Sequence, residues 1–286
     1  MPDSIVLRED EEAIWIILNR PEKRNALDTK MIKQLVSRLE EAVEKDPSVI
    51  VLASEGDHFC VGSDIQDLIE PTEDFLNERK RMMMGIAKII ELLHDSPVPT
   101  ISMVKGSAFG VGMALALATD LTIASEDAVF SAAYAKIGLT PHGTYFLTRL
   151  LGEKRAKFLV FTAARLSATE ALKMGVVNKV VPLEELEDTT LEVIKSINKL
   201  PKRTLALAKE LLNYSSVATS VHKSLAFETM FQTLSHGTQE FKHAMEQYSE
   251  KKKEKEKGKE HKEEKKENTD TENNKNTKEN DDGENH

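Results

Sequence analysis

Residues 104–125 read VKGSAFGVGMALALATDLTIAS, and this stretch says most about the fold. Three glycines follow the strand-like pattern VPTISMV (98–104) and precede an apolar run that ends at Leu117. Glycine allows the backbone to approach a ligand closely, and the first residues of a helix offer unpaired N–H groups. No Lys-Ser or Lys-Thr pair follows, although a nucleotide-binding loop requires one. The stretch therefore predicts a strand, a ligand-facing loop and a short buried helix.

Strand and helix patterns alternate on both sides of this stretch. They predict a hairpin (Ile5–Leu7 and Ala13–Leu18), a helix capped by Asp28, a strand at Val49–Ala53, a helix at Met82–Leu93, a strand at Leu121–Ala124, a helix at 168–174 begun by the capping box Ser167 to Glu170 and ended by Gly175, and a strand VVNKVV (176–181). From Lys202 to about Lys251 the chain is predicted to be almost entirely helical, with a break at Ser215-Ser216. These units do not follow the simple strand–helix–strand pattern of a parallel crossover. Their order therefore favours an α/β spiral over a doubly wound sheet.

Composition limits the classes of partner. The chain has 286 residues, of which 40% are hydrophobic and 30% charged, and its formal net charge is −9. This acidity argues against nucleic acid or an anionic membrane as the main partner. The single cysteine, Cys60, cannot form an internal disulfide or a thiolate metal site, and no His, Asp and Glu cluster has metal-ligand spacing. Residues 1–20 show no signal-peptide pattern and no apolar stretch reaches the ~20 residues of a membrane helix, so a cytoplasmic location is expected.

Three segments differ in composition. Residues 1–200 carry the strand and helix patterns and are predicted to form the ligand-binding core. Residues 201–250 are predicted to form a helical C-terminal segment. Residues 251–286 contain Lys, Asp, Glu and Asn but no side chain that could seed a core, so this low-complexity charged tail is predicted to be disordered.

Four stretches together resemble the crotonase, or enoyl-CoA hydratase/isomerase, family. They are LNRPEKRNALD (18–28), GDHFCVGSDI (56–65), the glycine stretch at 104–125, and FSAAYAKIGLTPHGTYFLTRLLG (130–152). The resemblance covers about residues 4–250 and implies an α/β fold with a ββα spiral core and a helical C-terminal trimerisation segment. It further implies an acyl-CoA thioester substrate, no cofactor other than the CoA of that substrate, and a homotrimer or hexamer.

The resemblance also implies a mechanism and a set of binding residues. Removing a proton next to a thioester carbonyl gives an enolate, whose charge two fixed backbone N–H donors would stabilise. By resemblance these oxyanion-hole donors belong to Ser63 and Val111. Asp64 is interpreted first as the cap of a short helix, and Cys60 as a small buried residue rather than a nucleophile. The residues expected to bind CoA are Arg20, Lys23, Arg24, Ala26, Asp64 and Ile65.

The chain departs from the family at the two positions where a hydratase carries glutamate. The resemblance maps these positions to Ala114 and Tyr134. Alanine cannot transfer a proton, and a tyrosine hydroxyl with a pKa near ~10 is a poor base. Ordinary two-glutamate hydration is therefore not expected.

His142 is the remaining candidate acid and base, because an imidazole can move a proton between two carbons. A turn residue that hydrogen-bonds its own loop is the alternative interpretation of His142. Tyr134 is interpreted either as a hydrogen-bond donor or as a wall of the acyl pocket. Double-bond isomerisation is the favoured reaction. Decarboxylation, an atypical hydration and acyl-CoA binding without catalysis stay open as alternatives.

Overall fold

A six-stranded sheet forms the centre of the computed structural model, which describes residues 3–250. Its strands, numbered in chain order and given in their order across the sheet, are β1 (Ile5–Glu9), β2 (Ile14–Leu18), β3 (Ile50–Ser54), β4 (Thr100–Val104), β6 (Leu121–Ser125) and β9 (Lys179–Val181). Strands β1 and β2 form the predicted antiparallel hairpin, whereas every later pair in this sheet is parallel. The sheet therefore grows from one edge to the other as the chain proceeds.

A second, three-stranded sheet carries the glycine stretch. It contains β5 (Ser107–Phe109), β7 (Val129–Ser131) and β8 (Leu166–Ser167), with β7 in the middle. The β5–β7 pair is parallel and the β7–β8 pair is antiparallel. The chain thus leaves the large sheet at β4, adds β5 to the small sheet, and returns to the large sheet at β6. This alternation between two sheets is the spiral that the sequence predicts.

The described residues contain ten numbered helices and one further helical stretch. They are α1 (Thr29–Glu44), α2 (Ile65–Ile69), α3 (Phe75–His94), α4 (Val111–Ala118), α5 (Thr144–Leu151), α6 (Glu153–Thr162), α7 (Ala168–Lys173), α8 (Leu186–Asn198), α9 (Lys202–Val217) and α10 (Val221–His236), and residues 239–250 are also helical. Short 3₁₀ turns lie at Pro21–Lys23, Ala133–Ile137 and Leu183–Glu185. The predicted caps are confirmed: the Asp28 carboxylate accepts the Met31 N–H at 2.7 Å, and Ser167 with Glu170 forms a complete capping box. Within residues 3–250, no helix combines the length and apolar character that crossing a membrane would require.

The inner strands of the large sheet are buried on both faces, which explains their continuous apolar sequences. Every residue of β2 and β3 is buried. Side chains alternate between the two faces of a strand, so Ile16 packs in one hydrophobic cluster with α1 and α3 while Trp15 packs in another with α8. Both faces are therefore covered, as parallel sheets require.

Three sequence predictions are corrected by the structure. The strand predicted at 176–181 begins only at Lys179, because the N–H groups of Val176 and Val177 bond to the Ala171 carbonyl at the end of α7. Helix α3 begins at Phe75 rather than Met82, since its first turns are mostly exposed and carry no apolar periodicity. The break predicted at Ser215-Ser216 falls after Val217.

The chain divides into two compact units. The first ends at Val217 and contains both sheets, and the second begins at Ala218 and contains α10. The domain boundary expected at residue 200 stays a prediction. The tail predicted to be disordered, 251–286, lies outside the described residues.

A buried ion pair ties α9 to the large sheet. The Lys209 ammonium lies 2.7 Å from Asp120 and also donates to the Val98 carbonyl at 3.2 Å. The Asp120 carboxylate in turn accepts the N–H of Thr100 at 2.7 Å, at the start of β4. Burial lowers the pKa of Lys209, and the attraction of Asp120 opposes that shift. The ammonium therefore depends on this carboxylate as its counter-charge.

We expect Asp120→Asn to lower the free energy of unfolding by about 3 kcal/mol, because it leaves a buried ammonium without its counter-charge. Urea denaturation at pH 7 measures this loss. Lys157→Ala is the matched control, since it removes an exposed pair with Glu153 and should cost less than about 1 kcal/mol. Equal losses in the two variants would show that the buried pair contributes no more than a surface one.

Candidate active site

Two loops that end separate elements meet through a single parallel bridge. Cys60 pairs with Ala108, the middle residue of β5. The Cys60 N–H donates to the Ser107 carbonyl at 3.0 Å, and the Phe109 N–H donates to the Cys60 carbonyl at 2.9 Å. Because the two segments run in parallel, Ser63 and Val111 each follow the bridge by the same number of residues. The predicted pair of donors thus comes from neighbouring loops.

Glycine is required where these loops touch. A Cβ on Gly112 would lie 2.1 Å from the Cys60 carbonyl oxygen. A Cβ on Gly62, whose φ is +103°, would lie 3.1 Å from the Phe109 carbonyl oxygen and 3.6 Å from the Val111 nitrogen. Any larger residue would push the loops apart, so glycines at 62 and 112 set the distance between the two predicted donors.

The N–H groups of Ser63 and Val111 have no acceptor among residues 3–250. Next to Ser63, the Gly62 carbonyl accepts the Leu27 N–H and the Asp64 N–H donates to the Leu27 carbonyl, both at 2.8 Å. Successive N–H groups of an extended segment point to opposite sides. The Ser63 N–H therefore points away from Leu27. Val111 is the first residue of α4, where the N–H has no partner within the helix. Both donors are available to a ligand.

A cavity of about 480 Å³ adjoins both donors. Five residues predicted for the site line it: Ser63, Ile65, Val111, Tyr134 and His142. The other lining residues are Val61, Gly62, Met83, Phe109, Gly110, Ala133, Lys136, Ile137, Leu139 and Thr140. The wall is mostly apolar, and none of these lining residues is an Asp or Glu. The groups here that can transfer a proton are therefore an imidazole, a phenol and an exposed ammonium.

Tyr134 presents a buried hydroxyl without a partner. Tyr134 is 6% exposed, and no described atom forms a hydrogen bond of normal geometry with its hydroxyl. Burial raises the pKa of Tyr134 strongly, and the nearby backbone N–H of His142 offsets this only in part. The phenol is therefore a donor rather than a base at neutral pH. An unpaired buried hydroxyl gains stability when a ligand supplies an acceptor.

His142 lies beside Tyr134, with their ring centroids 6.3 Å apart. The imidazole is half-buried, and burial lowers the pKa of His142 below its usual 6.5. It is thus neutral at pH 7 and able to accept a proton. The structure brings the imidazole, the phenol and the two free N–H groups to one cavity.

Ala114 faces the turn that carries His142. A Cβ on Gly143, whose φ is +71°, would lie 2.8 Å from the Ala114 Cβ. Ala114 is 2% exposed and does not line the cavity. The Gly143 carbonyl accepts the N–H groups of Phe146 and Leu147 at the start of α5. A longer side chain at position 114 would therefore displace the turn and move His142.

Known proteins resemble this chain over most of its length. A model of the family described as enoyl-CoA hydratase/isomerase matches residues 8–259. The chain belongs to this family. It is 32% identical over 257 residues to the short-chain-enoyl-CoA hydratase of Clostridium acetobutylicum, covering 87% of this chain and 96% of that protein. It is 33% identical over 242 residues to a probable mitochondrial enoyl-CoA hydratase of Dictyostelium discoideum, covering 83% and 84%.

Solved structures of family members share the fold. An enoyl-CoA hydratase from Bacillus anthracis matches with a TM-score of 0.82 at 28% identity, covering 87% of this chain and 97% of that one. One from Polaromonas sp. JS666 matches with a TM-score of 0.82 at 27% identity, covering 86% and 97%. The predicted crotonase fold is confirmed, and the protein is an enzyme of the enoyl-CoA hydratase/isomerase type. These relatives are named hydratases, so their names do not support the isomerase prediction.

The residues expected to bind CoA fall into two groups. Arg20 Nη1 lies 2.8 Å from Asp64 and 3.4 Å from Asp28, and donates to the Ala26 carbonyl at 2.9 Å. Although burial opposes it, hydrogen bonds from Arg20 and the Gln66 N–H lower the pKa of Asp64. Arg20, Ala26 and Asp64 therefore form one internally paired cluster, and Asp64 caps α2 as predicted.

The second group is exposed. The side chains of Lys23 and Arg24 lie at the surface, and Lys23 donates to Gln66 at 2.9 Å. Ile65 is 56% exposed and lies at the wall of the cavity. The charges still available for a phosphate thus come from Lys23 and Arg24 rather than from Arg20.

Sequence reasoning missed Asn25, which holds this turn. It is fully buried with φ of +56°, a conformation that asparagine tolerates better than most residues. Its side chain accepts the Arg20 N–H and donates to the carbonyls of Glu55 and His58. The sequence feature that could have indicated this role is the dipeptide Arg24-Asn25 in a short turn. Cys60 is buried as expected, and burial raises the pKa of its thiol to about 12.

The cavity wall was also incompletely predicted. Phe109, Lys136, Leu139 and Thr140 line it without having been proposed for the site. Each lies within one of the quoted stretches 104–125 and 130–152, but the resemblance assigns none of them a role. Within residues 3–250, no three His, Cys, Asp or Glu side chains are grouped so that they could hold a metal ion.

We expect Gly112→Ala to lower the affinity for an acyl-CoA thioester at least tenfold and to cost about 1–3 kcal/mol of stability, because the new Cβ collides with the Cys60 carbonyl. Isothermal titration and urea denaturation measure the two effects. Gly175→Ala is the control: its φ is +75° but the space around it is open, so it should lose about 1 kcal/mol of stability and no affinity. Unchanged affinity in Gly112→Ala would mean that the loop contact does not set the donor geometry.

Proposed function

We propose that this enzyme moves the double bond of an enoyl-CoA, converting a 3-enoyl thioester into a 2-enoyl thioester through an enolate. One observation carries the proposal. The cavity has two free backbone N–H groups and a neutral imidazole, but its wall contains no carboxylate. Isomerisation needs one group that removes and returns a proton, whereas two-glutamate hydration needs two carboxylates.

The N–H groups of Ser63 and Val111 bind the thioester oxygen. When the C2 proton leaves, negative charge collects on this oxygen, and each fixed donor stabilises it by about 3 kcal/mol. The position of Val111 at the start of α4 adds the favourable helix dipole. These two donors make the C2 hydrogen acidic enough for a weak base.

His142 moves the proton. Its neutral imidazole takes a proton from C2 of the 3-enoyl thioester, and the electrons of that C–H bond form a dienolate. The same imidazolium then returns the proton to C4, which leaves the double bond between C2 and C3. Proton and charge balance within the step, and no water is consumed. Tyr134 donates its free hydroxyl to the acyl group or its enolate oxygen, which orients the substrate.

The rest of the substrate is CoA. Lys23 and Arg24 contact its phosphates, and the apolar side chain of Ile65 lies along the entry to the cavity. Ala26, Arg20 and Asp64 hold the shape of this binding surface. No separate cofactor is needed because CoA is part of the substrate. Assembly as a homotrimer or hexamer and a cytoplasmic location complete the proposal.

Hydration is the second candidate, and the names of the relatives favour it. In that reaction His142 would position and deprotonate the water. Decarboxylation of a malonyl-type thioester is a third possibility, favoured by the free Tyr134 hydroxyl, which can hold a carboxylate. A protein that only binds acyl-CoA would use the donors of Ser63 and Val111 without any role for His142. The same assay separates all of these.

We expect the protein to convert 3-enoyl-CoA to 2-enoyl-CoA, and His142→Ala to lower kcat/KM by about 10²–10⁴-fold, because it removes the proton carrier. Absorbance of the conjugated product and mass spectrometry measure turnover with 3-enoyl-CoA, 2-enoyl-CoA and methylmalonyl-CoA. His222→Ala is the control, since His222 is exposed on α10 and does not line the cavity.

Other outcomes identify the alternatives. If 2-enoyl-CoA gains water as fast as 3-enoyl-CoA isomerises, and His142→Ala changes neither rate, the isomerase mechanism is wrong. Loss of CO₂ from methylmalonyl-CoA as the main reaction would identify a decarboxylase. Tight binding of all three thioesters without turnover would identify a non-catalytic protein.

We expect kcat/KM to fall below an apparent pKa that is lower than 6.5. Catalysis needs neutral His142, and burial lowers the pKa of this imidazole, so activity is full at pH 7 and is lost only as the pH drops through the lowered value. Rates measured from pH 4.5 to 8 test this. The residual activity of His142→Ala should show no such acid limb. An acid limb above 6.5, or one that survives in the variant, would exclude His142 as the base.

A further inference from the structure

A second cavity, of about 620 Å³, lies between α1 and α3. Its size is within the usual range for small-molecule sites. No residue of this cavity lines the active-site cavity described above. The residues that enclose it are Thr29, Ile32, Lys33, Val36, Asp67, Glu70, Thr72, Glu78, Arg79, Arg81, Met82, Met84, Gly85 and Lys88.

One edge of the Arg79 guanidinium in this cavity is free. Its Nη1 donates to the Asp67 carbonyl at 2.6 Å, whereas its Nε is buried without a partner and no described hydrogen bond uses Nη2. The Asp67 carboxylate lies 4.0 Å from Nη1 and already accepts the N–H and hydroxyl of Thr29. The Nε and Nη2 edge is the edge that binds a carboxylate through two parallel hydrogen bonds.

Thr72, which also lines this cavity, carries a second unpaired polar group. The hydroxyl of Thr72 is buried and has no hydrogen-bond partner among the described residues. Buried polar groups in proteins are nearly always paired, so two unpaired groups on residues that line one cavity call for a common explanation. A bound polar group that accepts from both Arg79 and Thr72 provides it.

The rest of the wall is suited to an alkyl chain. Ile32 and Met82 are almost fully buried, and Val36 adds a third apolar side chain. Methionine adapts to chains of different shape because it is flexible and polarizable. A Cβ on Gly85 would lie 2.6 Å from Ile32, so α1 and α3 touch there, and the bulk of the cavity lies beside this crossing.

Charges at the wall are mixed, with a small basic excess. Besides Arg79, the cations are Lys33, Arg81 and Lys88, and the anions are Asp67, Glu70 and Glu78. Arg81 lies 4.0 Å from Glu78, and Lys88 lies 3.4 Å from Glu91 outside the cavity. One more cation than anion, in a chain of net charge −9, favours a ligand with a single negative charge.

We propose that this cavity binds a medium-chain monocarboxylate, with its carboxylate on the Nε and Nη2 edge of Arg79 and on the Thr72 hydroxyl, and its alkyl chain along Ile32, Val36 and Met82. The site is separate from the thioester cavity. Helix α3 lies between the two: Met83 lines the thioester cavity, whereas Met82 and Met84 line this one. The proposal does not depend on which reaction the enzyme catalyses.

Isothermal titration of the full chain with octanoate tests the site, and octanol is the matched ligand without a charge. We expect octanoate to bind at least tenfold more tightly than octanol. Arg79→Lys keeps the charge but loses the two-pronged edge, so it should weaken octanoate binding about tenfold or more. Arg81→Lys is the control on the same helix and should change affinity less than about twofold, because Arg81 is exposed and already near Glu78.

Thr72→Val gives a second test with little change in shape, and it should also weaken octanoate binding severalfold. His142→Ala should leave octanoate binding unchanged, whatever it does to turnover. Three results would overturn the proposal: no octanoate binding at millimolar concentration, equal binding of octanol, or displacement of octanoate by a short acyl-CoA together with normal binding in Arg79→Lys. The last result would place octanoate in the thioester cavity.

Discussion

The active site depends on the contact between the Cys60 carbonyl and the first turn of α4. This carbonyl accepts the Phe109 N–H, and its oxygen lies where a side chain on Gly112 would begin. Hydrogen bonding pulls the two loops together, and the missing Cβ permits the approach. Neither loop alone could present two N–H groups to one oxygen. The proposed oxyanion-binding geometry is therefore a property of their junction.

Much of the fold follows from local signals in the sequence. The continuous apolar run Ala13–Leu18 predicts a strand, and Asp28 and Ser167 mark helix starts; the structure confirms all three. These signals work because each involves residues within a few positions of one another. The bound of the strand predicted at 176–181 fails because competing local bonds form: the N–H groups of Val176 and Val177 bond to the Ala171 carbonyl of α7 instead of joining β9.

The site was predictable only in part, and the reason is also physical. Ser63 and Val111 could be named because the resemblance fixes loops by order and spacing, but the side chains around them depend on tertiary contacts. Nothing in the motif NRPEKRN says that Arg20 turns inward onto Asp64 while Arg24 stays at the surface. The unpaired Tyr134 hydroxyl is likewise visible only once its neighbours are placed. Candidate backbone N–H donors can be predicted from the sequence more readily than the hydrogen-bond partners of side chains.

Ala114 and His142 are best understood as one structural arrangement rather than as two independent features of the site. The Ala114 Cβ lies where a Cβ on Gly143 would collide, so the small residue on α4 and the glycine on the turn fit each other. A carboxylate side chain at 114 would need the space that this turn occupies, and the turn holds His142 at the cavity. A longer side chain at 114 would press on the turn that holds His142, so the chemistry open to this site follows from how its loops pack.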